Sequence, residues 1–167
     1  MIIQTKSKHE FFMRTAYLAA ELSKDPRTKV GAVLVKDNNI ISTGYNNFPR
    51  GVADKEEDYL NREVKYSKVC HGELNAILNA ARSGVSTLGA TLYTQGIPCA
   101  ECAKAVIQSG CSLIIVHKQW PNLTHSEKWC KSVDLSFEML NQAGVVVEQL
   151  DVTLGMKGFI DGKAIDI

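Results

Sequence analysis

The apolar positions change their period several times along the chain, and each change marks an element. Ser7-Lys8-His9-Glu10 has the form of a capping box, a serine cap with a glutamate three residues on. Behind it Phe11, Phe12, Thr15, Ala16, Leu18, Ala19 and Leu22 recur at helical spacing, which predicts a helix over 8–23. His9 falls in the polar first turn and reads as solvated. Asp25-Pro26 ends the helix, because proline disfavours helical backbone in the residue before it. The β-branched run 30–35 and the run 40–45 flank the turn residues Lys36-Asp37-Asn38-Asn39, which predicts a β-hairpin. A loop follows over 46–51. The charged segment 54–68 reads as a solvated connector, or as a surface helix or ordered insertion near the site.

Helical spacing returns at 73–82 (Leu74, Ala76, Ile77, Leu78, Ala80, Ala81) and stops at Ser83-Gly84. A strand is predicted over 90–94. Pro98 suits the first position of a helix, where its missing donor costs nothing, and that helix runs on to about residue 109 before Gly110. A strand over 113–117, a loop over 120–124, a helix over 126–142 ending at Gly144 and a strand over 145–150 complete the pattern. The mixed tail 151–167 reads as a small strand or an interface arm. After the hairpin the order is helix, strand, helix, strand, helix, strand. That alternation predicts an α/β layer fold, with helices on both faces of a largely parallel sheet. The whole chain, 1–167, reads as a single domain with a core over about 8–150 and a C-terminal tail.

Composition narrows the function classes. A formal net charge of +1 over 167 residues argues against stable nucleic-acid binding. The first ten residues are polar, and no apolar run is long enough to cross a membrane. Five cysteines are an odd number and two of them fall in one short motif, so a disulfide framework is not expected and a reducing, cytoplasmic location is.

The chemistry concentrates in two short segments, Cys70-His71-Gly72-Glu73 and Pro98-Cys99-Ala100-Glu101-Cys102. They supply an imidazole, two thiols and a carboxylate. Catalytic zinc sites use three protein ligands and keep one position open. His71, Cys99 and Cys102 make such a set for one catalytic Zn2+ ion, and Glu73 is left to move protons. Cys99 and Cys102 share one face of a first helical turn, where the helix end favours thiolate. The arrangement requires the other helix to begin at His71, so that Glu73 turns toward the same point. A closed structural zinc site would need a fourth ligand from Cys70, Cys111, His117, His125 or Cys130, none of which has recognised spacing. A redox pair would leave His71 and Glu73 without a task.

His-x-Glu followed by Pro-Cys-x-x-Cys is the signature of zinc-dependent nucleobase deaminases. From the first helix to about Leu150 the chain resembles the cytidine and deoxycytidylate deaminase superfamily. The resemblance is carried by Val30-Gly31-Ala32-Val33-Leu34-Val35, Gly44-Tyr45-Asn46, Cys70 to Ile77 and Pro98 to Lys104. Gln108-Ser109-Gly110 and Ala143-Gly144-Val145 extend it. The Cys-Ala-Lys and Gln-Ser-Gly continuation favours the deoxycytidylate deaminases. The resemblance implies a three-layer αβα sandwich on a five-stranded mixed sheet, with zinc at the start of two helices. It implies His71, Cys99 and Cys102 as ligands and Glu73 as proton shuttle. It also implies Asn46 as a holder of the substrate's sugar or base, Arg27 and Lys29 as phosphate contacts where they are not ordinary solvated charges, and Trp120 either as a ring that stacks on the base or as an interface or core anchor.

Gly72 stands where the family usually has alanine, and leaves its backbone amide available to the base. The loop Asn47-Phe48-Pro49-Arg50-Gly51 departs from the form used by allosterically regulated members, and 51–69 holds no Cys or His for a second zinc. The expected function is hydrolysis of dCMP to dUMP and ammonia by a homo-oligomer acting on a small nucleotide. The alternatives are the same chemistry on dCTP, a modified cytosine nucleotide or another nucleobase, a nucleic-acid editing deaminase, and a zinc-stabilised interaction module.

Overall fold

The computed structural model describes residues 7–121 and 127–167. Helix α1 spans Lys8–Ala20, and its Ser7 cap accepts a hydrogen bond from the Glu10 amide as the capping box predicts. Strands β1 (Gly31–Lys36) and β2 (Asn39–Tyr45) form the expected hairpin, and the positive φ of both Asp37 and Asn38 suits its tight turn. The charged segment is ordered as two short helices, α2 (Glu56–Leu60) and α3 (Arg62–Lys68). Then come α4 (Gly72–Arg82), β3 (Thr91–Thr94), α5 (Ala100–Gln108), β4 (Leu113–His117), α6 (Glu127–Gln142) and β5 (Val146–Leu150). The tail is a hairpin of its own, β6 (Lys157–Ile160) with β7 (Lys163–Asp166).

The main sheet has five strands in the order β2-β1-β3-β4-β5. β1 is antiparallel to both of its neighbours, while β3, β4 and β5 are mutually parallel. The sheet is therefore mixed, with β1 alone reversed. Helices α4, α5 and α6 cover one face, where Ala76, Ile77, Ala80, Ala103, Val106 and Leu140 pack on Ala32, Leu34, Leu92, Ile114 and Val116. Helix α1 and the tail hairpin cover the other, where Phe12, Met13, Tyr17 and Ile160 meet Val33, Val35, Tyr93, Ile115 and Trp120. Three layers result, as expected.

Three details correct the sequence reading. α1 stops at Ala20 and a turn carries the chain onward. Pro98 precedes the helical cap, which is Cys99, so it fixes the entry to α5 rather than its first turn. His9 is exposed but not merely solvated, since its Nδ1 lies 2.9 Å from the Tyr93 hydroxyl. Part of the loop expected over 120–124, the first residue of the helix expected over 126–142, and His125 lie outside the described residues.

Close approach positions the site. A Cβ on Gly44 of β2 would lie 2.2 Å from the Ala76 nitrogen and 2.3 Å from the Gly72 oxygen, so only glycine lets α4 rest directly on that strand. Polar rivets hold it there: Ser42 Oγ donates to the Ala76 carbonyl, and the Asn75 and Asn79 amides donate to the Tyr45 and Thr43 carbonyls.

Candidate metal centre and active site

Helices α4 and α5 both begin at the end of the sheet where β3 finishes. His71 is the N-cap of α4 and Cys99 the N-cap of α5, so each ligand sits in extended backbone immediately before its helix. Cys102 follows one turn into α5. His71 Nδ1 lies 3.4 Å from Cys99 Sγ and 3.5 Å from Cys102 Sγ. A tetrahedral zinc, with sulfur at about 2.3 Å and nitrogen at about 2.0 Å, sets adjacent donors roughly 3.5 Å apart. The donor set and its spacing therefore fit zinc. Among the described residues these three make the one cluster of His, Cys, Asp or Glu whose ligand atoms all lie within 4.8 Å of one another. Cys70, Cys111, His117 and Cys130 stand outside it. His117 is engaged elsewhere, accepting at Nδ1 from the Tyr17 hydroxyl and donating from Nε2 to the Val152 carbonyl.

Glu73 is buried, and its Oε2 lies 3.8 Å from Cys102 Sγ. Burial pushes its carboxyl pKa up, while the nearby His71 charge pulls it down. The Cys102 thiol donates to Cys99, which holds the Cys99 pKa down and the Cys102 pKa up. Its hydrogen bond with Cys99 raises His71 to about 9; burial opposes this, and so does the Lys65 ammonium. At neutral pH the metal-free cluster thus holds an imidazolium, a thiolate and a thiol. Both remaining protons must leave when a cation binds.

Gly72 explains itself by contact: a Cβ there would come within 2.9 Å of the Val30 carbonyl oxygen. Its N–H, at the first position of α4, has no acceptor within the helix. Asn46 is buried, and its side chain grips protein: Oδ1 accepts from the Val30 amide, while Nδ2 donates to the Thr28 carbonyl and to Asp25. Arg27 is exposed. Lys29 places its Nζ 6.0 Å from the centre of the Phe159 ring, and its amide bonds to the Phe159 carbonyl of the tail hairpin. Of the two roles expected for Trp120, the ring takes that of a core anchor and not that of an open stacking surface. It is only 6% exposed, set edge-on to Tyr17 and against Gly96, where a Cβ would meet its ring at 2.9 Å. It braces the segment that leads to Cys99 from the core side.

Sequence reasoning missed several supporting residues. Ser132 Oγ accepts from the Ala100 amide and so caps α5 from α6. Gln95 Oε1 accepts from the Gly31 amide and ties the end of β3 to the start of β1. Asp25, 1% exposed, pairs with Lys65 at 2.6 Å. Only the Asp25-Pro26 step was visible beforehand, and it read as a helix stop.

Residues 6–118 match the family described as the cytidine and deoxycytidylate deaminase zinc-binding region. A deaminase from the luxG 3' region of Aliivibrio fischeri is 38% identical over 143 residues, which cover 86% of this chain and 93% of that protein. Human deoxycytidylate deaminase is 40% identical over 112 residues, covering 64% of this chain; the chain spans 62% of the human protein's length. Among solved structures, the dCMP deaminase of cyanophage S-TIM5 in complex with dCMP and dUMP superposes with a TM-score of 0.68 at 29% identity, covering 88% of this chain and all of that one.

Proposed function

The chain belongs to the cytidine and deoxycytidylate deaminase family, and from that premise we propose that it hydrolyses the exocyclic amine of dCMP, releasing dUMP and ammonia. The convergence of His71, Cys99 and Cys102 around one point, with the Glu73 carboxylate beside it, carries this reading. The dCMP- and dUMP-bound cyanophage relative supports the substrate.

His71 Nδ1, Cys99 Sγ and Cys102 Sγ would hold the ion. Zinc held there would supply Lewis acidity, bringing the pKa of a water molecule toward neutrality. Glu73 would take a proton from the attacking water at its carboxylate and deliver it to N3 of the ring. The water oxygen becomes O4 of the product, the C4–N4 bond breaks, and the second water proton leaves with nitrogen as ammonia. The raised pKa of the buried carboxyl suits a group that must both accept and return a proton. The Gly72 N–H, which has no acceptor within α4, would donate to the base. Asn46 Oδ1, with one lone pair taken by Val30, keeps a second for a sugar hydroxyl. Arg27 and Lys29 are assigned to the phosphate.

Five free cysteines support a reducing compartment, and we assign the protein to the cytoplasm. No described helix is long and apolar enough to cross a membrane. Exposed Phe11 and Leu18 along one face of α1, with exposed Leu22 in the turn just after it, support a homo-oligomer.

Zinc-loaded protein offered dCMP, CMP, dCTP and cytidine should lose absorbance at the cytosine band fastest with dCMP. Glu73→Gln should keep its zinc and lose about 100- to 10,000-fold in kcat. Undiminished turnover in that variant would overturn the mechanism.

A further inference from the structure

We propose that Lys65, on the α3 insertion, is a positioning residue: through Asp25 it holds the Asn46 side-chain amide in the one orientation that keeps its oxygen for substrate. The kinetic part of the proposal rests on the deaminase reading above; the structural part does not.

The lysine–carboxylate pairs of Lys104, Lys118, Lys131 and Lys157 join side chains that are more than half exposed, and such pairs contribute little. Lys65 and Asp25 differ. Their side chains are 11% and 1% exposed and their charged atoms are 2.6 Å apart. Asp25 spends every acceptor it has. Oδ1 takes the Arg27 and Thr28 amides at 2.8 and 3.2 Å; Oδ2 takes Lys65 and, at 3.3 Å, the Asn46 Nδ2. The second Nδ2 hydrogen goes to the Thr28 carbonyl at 2.9 Å, and Oδ1 of Asn46 accepts from the Val30 amide at 2.8 Å.

Three partners thus dictate which end of the amide is oxygen. A flipped amide would set NH2 against the Val30 N–H and oxygen against a carboxylate. Asn46 also lies close to the metal ligands along the chain: Asn47 and Cys70 exchange two backbone hydrogen bonds, at 3.1 and 2.9 Å, and His71 comes next.

Lys65 is what keeps the Asp25 carboxylate in place against Asn46. Stripped of that counter-ion, a carboxylate this buried is left as an unpaired charge, which is costly enough to loosen the contact through which its Oδ2 accepts from Asn46 Nδ2. The amide would keep its Val30 and Thr28 partners and lose the third one that fixes its orientation. The insertion that carries Lys65 is itself fastened to the same loop. Tyr59 stacks on Phe48 with ring centres 4.2 Å apart, and the Tyr59 hydroxyl bonds to Asn47 and Asp54. Helices α2 and α3 are therefore fastened to the loop that carries Asn46.

The test compares Lys65→Met with the double variant Lys65→Met/Asp25→Asn. Readouts are zinc per chain, melting temperature, steady-state kinetics on dCMP, and the Asn46 side-chain amide resonances in a 1H–15N spectrum. Lys65→Met should keep its zinc, raise KM about tenfold with kcat changed less than about threefold, and shift the Asn46 resonances. The double variant removes the unpaired buried charge, so its melting temperature should recover. An amide at position 25 still opposes the Asn46 NH2, so KM should stay raised. That second variant decides the matter even where the single one does not fold. The proposal is overturned by wild-type KM and Asn46 resonances in either folded variant. Failure of the wild type to deaminate dCMP would instead sink the substrate reading, with the amide resonances still deciding the role of Lys65.

Discussion

The two faces of the main sheet are filled by different kinds of residue. The face under α4 and α5 is built on small and aliphatic side chains: Ala32, Ala76, Ala80, Ala90 and Ala103 are fully buried among leucines, isoleucines and valines. The face under α1 is built on large rings, with Phe12, Tyr17, Tyr93 and Trp120 in one cluster. Small residues bring backbone close to backbone, which fixes where a helix starts. Rings fill volume and tolerate small shifts. The difference teaches that the first face sets the geometry of the metal ligands, whereas the second mainly supplies stability.

Gly44→Ala should break that division most severely. Its Cβ would meet only backbone, 2.2 Å from the Ala76 nitrogen, and no rotamer can relieve it. Helix α4 must move, carrying His71 and Glu73 with it. A displacement of order 1 Å costs about 100-fold in turnover, and zinc affinity measured by chelator competition should fall about 10- to 100-fold. A variant that binds zinc and turns over normally would refute the assignment of roles. Phe12→Ala attacks the other face. Its ring is 5% exposed and packs 5.2 Å from that of Tyr93, so its loss should cost about 3–5 kcal/mol in denaturant unfolding. Zinc stoichiometry of the folded variant should stay unchanged; loss of zinc would show that the faces are coupled.

Acidification should separate the faces more gently. Between the depressed Cys99 and the raised His71 pKa, near 9, loading must expel the His71 and Cys102 protons. Affinity for zinc should therefore fall as pH falls, by about 100-fold per unit for two protons. Calorimetry in buffers of different ionisation heat should count close to two protons released at neutral pH. A count near zero would mean that the metal-free cluster is already deprotonated.

Much of this was legible in the chain itself. The 3.6-residue period marked α1, α4, α5 and α6, and the β-branched runs marked five strands. The zinc ligands were legible because their roles demand particular residue types at short spacing, and because one helix had to begin at His71, as it does. What stayed hidden depends on partners far apart in sequence. Asp25 and Lys65 are two charges among many until the fold buries them together. Gly44 stood out only as part of the Gly44-Tyr45-Asn46 motif, with no visible reason for a glycine, because the need for it comes from a helix some thirty positions later. Trp120 lay in a predicted loop beside the site, and only the α1 layer shows that its ring faces inward. The tail gave a weak signal because its hairpin is short and half exposed, and it gains order by packing under α1.

The reversal of β1 sorts the connections into two poles. Its first residue, Gly31, lies beside the end of β3, so residues 25–30, 46–71 and 95–99 gather where the ligands are. Its last residue leads to the Asp37-Asn38 turn at the opposite end, together with the turns at Gly84, Gly110 and Gly144 that follow α4, α5 and α6. One pole carries His71, Glu73, Cys99 and Cys102, and the other carries turns alone among the described residues. A fluorophore, affinity tag or surface tether grafted into those turns would report on the protein or immobilise it while leaving the first pole clear.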